Sequence, residues 1–329
     1  MSLDPGEILA TYRGELETYR ALGERVAQAI EAAARAAGVA PISVTSRPKD
    51  PAHLVLKAIK KHREDPERYS DPLTAIGDKA GVRVVVGHLD DVEVVRAAAQ
   101  GPFKVLDEED TADRLAPNEL GYLGLHLQVQ FRDSEIVGNM HLRGLQCEIQ
   151  VHTKAQNAWA DVSHPLLYKP MGEPSRRVQR RVMRAVALAS LFDDEIRAAR
   201  QEVMADPMYR PAAMLDAAQK AAIDWRRTEP NQGLSLEVLD IVRHAYSDRE
   251  LDEFADVLAR FIAARRDAIQ ASYDSHAAGE IDLLDQPEAI VIFERLATRR
   301  ETLRACWIDS DLPLDMLEQL GRAFGVAVS

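Results

Sequence analysis

The 329-residue chain has only two cysteines, Cys147 and Cys306, and neither has a C-x-x-C partner. A disulfide framework and a zinc ribbon are both set aside, and a reducing cytosol is the expected compartment. No uninterrupted apolar run is long enough to cross a bilayer, and Met1-Ser2-Leu3-Asp4-Pro5-Gly6-Glu7 lacks the basic and apolar regions of a signal peptide. A cytoplasmic protein with no membrane partner is therefore expected. Positive charge is also short: 41 Lys and Arg against 53 Asp and Glu leave a net charge of −12. That argues against a nonspecific nucleic-acid coat but leaves room for a local basic groove. Hydrophobic residues make up 46% of the chain, enough for two domains with cores, or one domain and a large appendage.

Two stretches alternate strictly. Between Gly121 and Phe131 the odd positions are Leu123, Leu125, Leu127, Val129 and Phe131, and the even ones Tyr122, Gly124, His126, Gln128 and Gln130. From Leu145 to His152, Glu148, Gln150 and His152 share one side, with Cys147, Ile149 and Val151 on the other. A strand sends alternate side chains to opposite faces, so each stretch has a core face and a polar face. A solvated strand would more usually carry Lys, Thr and Glu; an aromatic, two imidazoles, one carboxylate and three amides suit the floor of a ligand site.

Helical patterns flank this α+β middle. Pro5 to Ala37 reads as one long helix or two, Ile42 to Ser46 as a short strand, and Pro51 to His62 as a helix capped by Asp50. Val82 to Val86 reads as a buried strand and Asp90 to Ala99 as a helix. The sheet signal fades after Tyr168; Pro174 to Met204 is a long helical pattern, and most of the chain from Ala212 onward reads as helices broken at Glu229-Pro230-Asn231, Ser247-Asp248 and Asp309-Ser310. The expected organisation is a helical segment over 1–40, an α+β domain over 41–170, a connecting helix over 171–204 and an α-helical accessory region over 205–329.

Arg47 and Lys49 lie beside the turn-restraining Pro48, with Lys57 two turns into the next helix. Such a cluster can grip a polyphosphate, Arg as a planar fork and Lys as a mobile point charge. Taken alone, the segment fits a solvated basic surface at least as well. Asp78, just before a buried strand that carries Arg83, and Glu148, on the polar face of a later strand, shift the balance. Two carboxylates brought together near Arg and Lys are what a magnesium-nucleotide site requires. Separately, Asp78 reads equally well as a turn cap and Glu148 as a cross-strand partner of a cation.

Taken in order, Arg47-Pro48-Lys49 with Lys57, Asp78-Lys79-Ala80-Gly81-Val82-Arg83, Gly121-Tyr122-Leu123-Gly124-Leu125-His126, Glu148-Ile149-Gln150-Val151-His152-Thr153, and Trp159, His164, Tyr168 and Lys169 resemble the synthetase domains of the RelA/SpoT family over about Ile42 to Lys169. The resemblance implies a nucleotidyltransferase-like mixed sheet. It also implies pyrophosphate transfer from Mg2+-bound ATP to the 3′-hydroxyl of a second nucleotide, GDP or GTP, to make (p)ppGpp. It gives Arg47, Lys49, Lys57 and Arg83 to the ATP phosphates, and Asp78 and Glu148 to the metal. Glu148 is also the candidate base, Tyr122 would stack on the acceptor base, and His126, Gln150 and His152 would line the acceptor site.

The chain departs from the family pattern at Gly124, where Ser is usual, at His152, where Arg is usual, and at Ser163, where Glu is usual; Pro117-Asn118-Glu119-Leu120-Gly121-Tyr122 is also longer than the usual approach. A neutral His152 removes a fixed positive charge, so adenosine nucleotides and the 3′ end of tRNA stand as alternative acceptors, and a noncatalytic nucleotide-binding regulator as an alternative to the enzyme. The His-Asp pattern of the family's hydrolase domain is missing, as are its strand-rich regulatory modules. Arg176, Arg177, Arg180, Arg181 and Arg184 form a basic stripe, with Val178, Val182, Ala185 and Ala189 expected on the buried side. The stripe fits pairing with the acidic excess better than it fits tRNA phosphates. Trp225 and Trp307 are expected in a core. A homo-oligomer, and an antitoxin or regulatory protein at the C-terminal helices, are the remaining candidate partners.

Overall fold

The computed structural model describes residues 4–110, 124–136, 138–167, 175–206, 209–225 and 227–328. The chain divides into two compact units, residues 1–197 and 198–329. Among the described residues no helix is long and apolar enough to cross a membrane.

The first unit opens with one continuous helix, α1 (Pro5–Ala36), whose first turn is capped by Asp4 accepting from the Gly6 amide at 2.8 Å. Ile8, Tyr12, Tyr19, Leu22, Val26, Ile30 and Ala34 recur at helical spacing and are all buried, so α1 offers one apolar face. Then follow β1 (Ser43–Pro48), α2 (Pro51–Glu64), the single turn α3 (Pro72–Ala75), β2 (Ala80–Val86), α4 (Leu89–Ala99), β3 (Phe103–Asp110), β4 (Leu125–Phe131), β5 (Cys147–Thr153), α5 (Lys154–Leu167) and α6 (Arg176–Ala205). The five strands form a mixed sheet in the order β1-β2-β5-β4-β3, with β2 and β5 parallel and the other pairs antiparallel. Val82, Val84, Ile149, Val151, Leu125, Leu127 and Val129 share one face and form a core with α1 and α4. The other face is polar.

Sequence reading missed β3. Its Asp107-Glu108-Glu109-Asp110 run is poor strand material, and it forms by pairing with β4 at the sheet edge, where charge discourages pairing with another molecule. The strand expected from Gly121 is described only from Leu125 onward. In α6, Val182 is buried but Val178 and Ala185 are exposed, contrary to the expected buried side. The inward side carries Val182, Val186 and Asp193, all buried, and Asp193 accepts a 2.6 Å hydrogen bond from Thr153 Oγ1 at the end of β5.

The second unit is helical: α7 (Arg210–Ala221), α8 (Gln232–Val242), α9 (Asp248–Asp252), α10 (Phe254–Asp274), α11 (Glu288–Thr298), α12 (Arg300–Ile308) and α13 (Leu314–Ala323). Every residue of α11 from Glu288 to Leu296 is buried, as a helix enclosed on all sides must be largely apolar. Trp225 and Trp307 are buried in the same core.

Candidate active site

Cross-strand register assembles the polar face. Arg47, Gly81, Glu148 and Gln128 form one row across β1, β2, β5 and β4, and Thr45, Arg83, Gln150 and His126 the next. Directly opposed residues point to the same side, so four strands bring charge and amides to one floor. Asp78 sits three residues before the Gly81 that opposes Glu148.

Lys49 Nζ and Lys57 Nζ donate to the same Asp78 oxygen, Oδ2, at 2.6 Å and 2.7 Å. Burial pushes the Asp78 carboxyl up, but these hydrogen bonds outweigh it and hold it below the ordinary carboxylate range. The other oxygen, Oδ1, is buried and has no partner. Two ammonium groups on one carboxylate leave net positive charge beside an unsatisfied acceptor.

Glu148 is ionised as well. Gln150 Nε2 donates to its Oε2 at 2.7 Å, and His126 Nδ1 lies 3.5 Å from its Oε1. Burial raises the Glu148 carboxyl and the charge of Asp78 adds to that, but the hydrogen bonds from His126 and Gln150 with the His126 charge together leave it below its usual value. The two acids are thus close enough to feel each other. Among the described residues no cluster of three or more His, Cys, Asp or Glu forms a ready-made metal cage. Two carboxylates with an orphaned buried oxygen do fit magnesium, which takes one or two protein carboxylates and fills its shell with water and phosphate oxygens.

The remaining candidates divide. Arg47 is exposed, and no described residue partners its side chain. Arg83 reaches α5, donating to Asp161 Oδ1 at 2.7 Å and to Asn157 Oδ1 at 3.2 Å. His152 is fully enclosed, opposite the buried Val85. Burial, with Arg83 and His126 adding to it, pushes its imidazole down to about 3, so it is neutral at physiological pH and sits beneath the open floor. Tyr122, Tyr168 and Lys169 lie outside the described residues.

Sequence reasoning missed the supports. Tyr12 of α1, fully buried, places its hydroxyl 2.9 Å from the Lys49 carbonyl and 3.0 Å from the Lys79 carbonyl, tying together the two segments that carry Lys49 and Asp78. Burial, and secondarily Tyr19, push its phenol up to about 12, so it stays a donor. Gln128 Nε2 donates to the Gly77 carbonyl at 2.9 Å, and a Cβ on Gly77 would meet the amide ends of Gln128 and Gln146 at 2.6 Å and 2.5 Å, so any larger residue before Asp78 has to push both amides aside. Adjacency to Asp78 was the one available signal for Gly77; Tyr12 looked like any core residue of an amphipathic helix. Tyr12→Phe is expected to cost about 1 kcal/mol, because the Lys49 carbonyl loses the hydroxyl while the Lys79 carbonyl keeps only the Lys49 backbone N–H at 2.8 Å. Chemical denaturation measures this loss, and kcat should fall more than KM rises.

Residues 46–173 match the family described as "Region found in RelA / SpoT proteins". Over 165 residues the chain is 34% identical to GTP pyrophosphokinase YjbM of Bacillus subtilis (strain 168), an alignment spanning 49% of this chain and 72% of that protein. The chain belongs to the RelA/SpoT family. This RelA/SpoT protein is also 25% identical over 130 residues to GTP pyrophosphokinase YwaC of the same strain, covering 39% of this chain and 60% of YwaC. Among solved structures it is similar to the small alarmone synthetase 1 from Bacillus subtilis, with a TM-score of 0.48 and 26% identity over 60% of this chain and 100% of that one. The family match ends at residue 173, before the helical second unit of this RelA/SpoT protein.

Proposed function

We propose that the chain is an ATP-dependent pyrophosphokinase that transfers pyrophosphate from Mg-ATP to the 3′-hydroxyl of a guanosine nucleotide. The observation that carries this reading is the pairing of Lys49 and Lys57 on one oxygen of Asp78, with the other oxygen unsatisfied and Glu148 nearby. Membership of a family that includes GTP pyrophosphokinases supports it.

The transferred group is densely negative, so the protein's task is alignment and charge stabilisation rather than covalent chemistry. Arg47 and the surplus charge of Lys49 and Lys57 would hold the donor phosphates, and Arg83 joins them by exchanging its Asp161 contact for phosphate oxygens. Asp78 and Glu148 would hold a magnesium ion, which would supply positive charge to the phosphates. Glu148, unprotonated at neutral pH, can accept the proton of the attacking hydroxyl, with His126 and Gln150 fixing its direction.

The enclosed, neutral His152 favours a second reading for the acceptor alone. It offers no fixed charge to a di- or triphosphate, which suits an adenosine nucleotide or the 3′ end of tRNA. Incubating purified protein with ATP, magnesium and, in parallel, GDP, GTP, excess ATP or deacylated tRNA separates these. AMP release with GDP or GTP is expected; release confined to another acceptor moves the assignment, and no AMP with any acceptor removes the enzyme reading.

A further inference from the structure

The four cations assigned to the donor phosphates are not equally free. Lys49 and Lys57 share Asp78, itself a metal-binding candidate, and Arg47 has no described partner. Among the described residues Arg83 alone is tied to an acid outside the reacting groups. Its Nη1 donates to Asp161 Oδ1 at 2.7 Å and to Asn157 Oδ1 at 3.2 Å.

That acid is held in place from behind. Helix α5 begins directly after β5, and Thr153 and Gln156 cap its first turn reciprocally: the Thr153 amide donates to Gln156 Oε1 at 3.0 Å, and the Gln156 amide to Thr153 Oγ1 at 3.1 Å. Both side chains are buried. One turn further along the same helix face, Asn157 Nδ2 donates to Asp161 Oδ2 at 3.2 Å. Asp161 is thus fixed relative to β5, the strand of Glu148, and cannot travel with the Arg83 side chain when phosphates draw it away. Arg83 has to choose.

The pair is also built to open. The Asp161 side chain is 57% exposed and that of Arg83 31%, so an acid that loses the guanidinium stays in water and keeps its bond to Asn157. An ion pair this exposed is weak, and a polyphosphate offers several charged oxygens where Asp161 offers one carboxylate. We infer that Asp161 is a built-in competitor of the nucleotide: it occupies Arg83 in the resting protein, every bound ATP displaces it, and the ATP affinity is set lower by that exchange. The inference rests on the proposed assignment of Arg83 to the ATP phosphates. Asp161 touches none of the reacting groups and acts through Arg83 alone. An ordinary surface ion pair would instead stabilise α5 and leave ATP affinity unchanged.

Calorimetric titration of the full chain with ATP and magnesium, without acceptor, reads binding apart from transfer, and circular dichroism confirms that each variant folds. Asp161→Asn keeps the shape and removes the charge, and should tighten ATP binding roughly two- to five-fold, the scale of an exposed ion pair. Loss of any negative charge near a phosphate site raises affinity somewhat, so the same substitution is also made in Arg83→Gln. There it should change ATP affinity by less than about 1.5-fold, because the group it competes for is gone. In steady-state transfer KM for ATP should fall while kcat stays within about two-fold. Unchanged or weaker ATP binding by Asp161→Asn overturns the inference, and so does equal tightening with and without Arg83. The two readings fail separately. Binding that follows this pattern with no AMP from any acceptor removes the enzyme and keeps the competitor, whereas AMP release with ATP affinity indifferent to Asp161 does the reverse.

Discussion

Glu148→Gln is expected to lower pyrophosphate transfer by roughly 10²–10⁴-fold, the usual contribution of a positioned base, while ATP still binds within a few-fold of wild type. The amide has the shape of the carboxylate, so Gln150 and His126 keep a neighbour of the same size. What disappears is the negative charge and the capacity to take a proton, both of which matter as the acceptor oxygen attacks. Single-turnover transfer measured beside ATP affinity separates the two effects. A variant that transfers at the wild-type rate would strip Glu148 of its role; one that loses ATP binding equally would make Glu148 a ligand-holding group only.

Asp78→Asn should have the second largest effect, about 10²–10³-fold on transfer, together with a higher magnesium requirement. It should also alter stability, with a definite sign. The Asp78 carboxyl is held below its unfolded value, so its ion pairs contribute fully above the ordinary carboxylate range, and that contribution fades as pH falls through the lower folded value. Wild-type protein should therefore lose stability on acidification, and the variant should lose less over the same interval. Thermal melts from neutral pH downward provide the comparison. Equal slopes would mean that Lys49 and Lys57 do not stabilise the charged form of Asp78.

The alternating β4 and β5 were legible because a half-buried strand must alternate, and Asp78 and Glu148 stood out because acids beside Lys and Arg imply a shared ligand. The supports left weaker traces. Tyr12 works through a hydroxyl aimed at two carbonyls that are distant in sequence from it, Lys49 and Lys79, and no local pattern encodes that aim. β3 hid behind four consecutive acids whose placement depends on a tertiary partner rather than on propensity. In α6, abundant alanine blurs the amphipathic wheel, and the side that turns inward is marked only by contacts distant in sequence: Thr153 on Asp193, Asp90 on Arg197, and the burial of Val182 and Val186. Arg83 was read as a phosphate ligand from its place on a polar face; its resting contact with Asp161 lies 78 residues along the chain, beyond any periodicity.

The parallel ladder between β2 and β5 has a consequence for how this catalyst tolerates change. Ile149 and Val151 are anchored in the core on either side of Gln150, and Glu148 is held outward by the same pleat. A slip of one residue would drive the acid into hydrocarbon and expose the isoleucine, so hydrophobic packing polices the placement of Glu148. Core substitutions at these strands should register as lost turnover before they register as unfolding, and so should an insertion between Asp78 and Gly81, which lies outside the ladder but shifts one acid against the other.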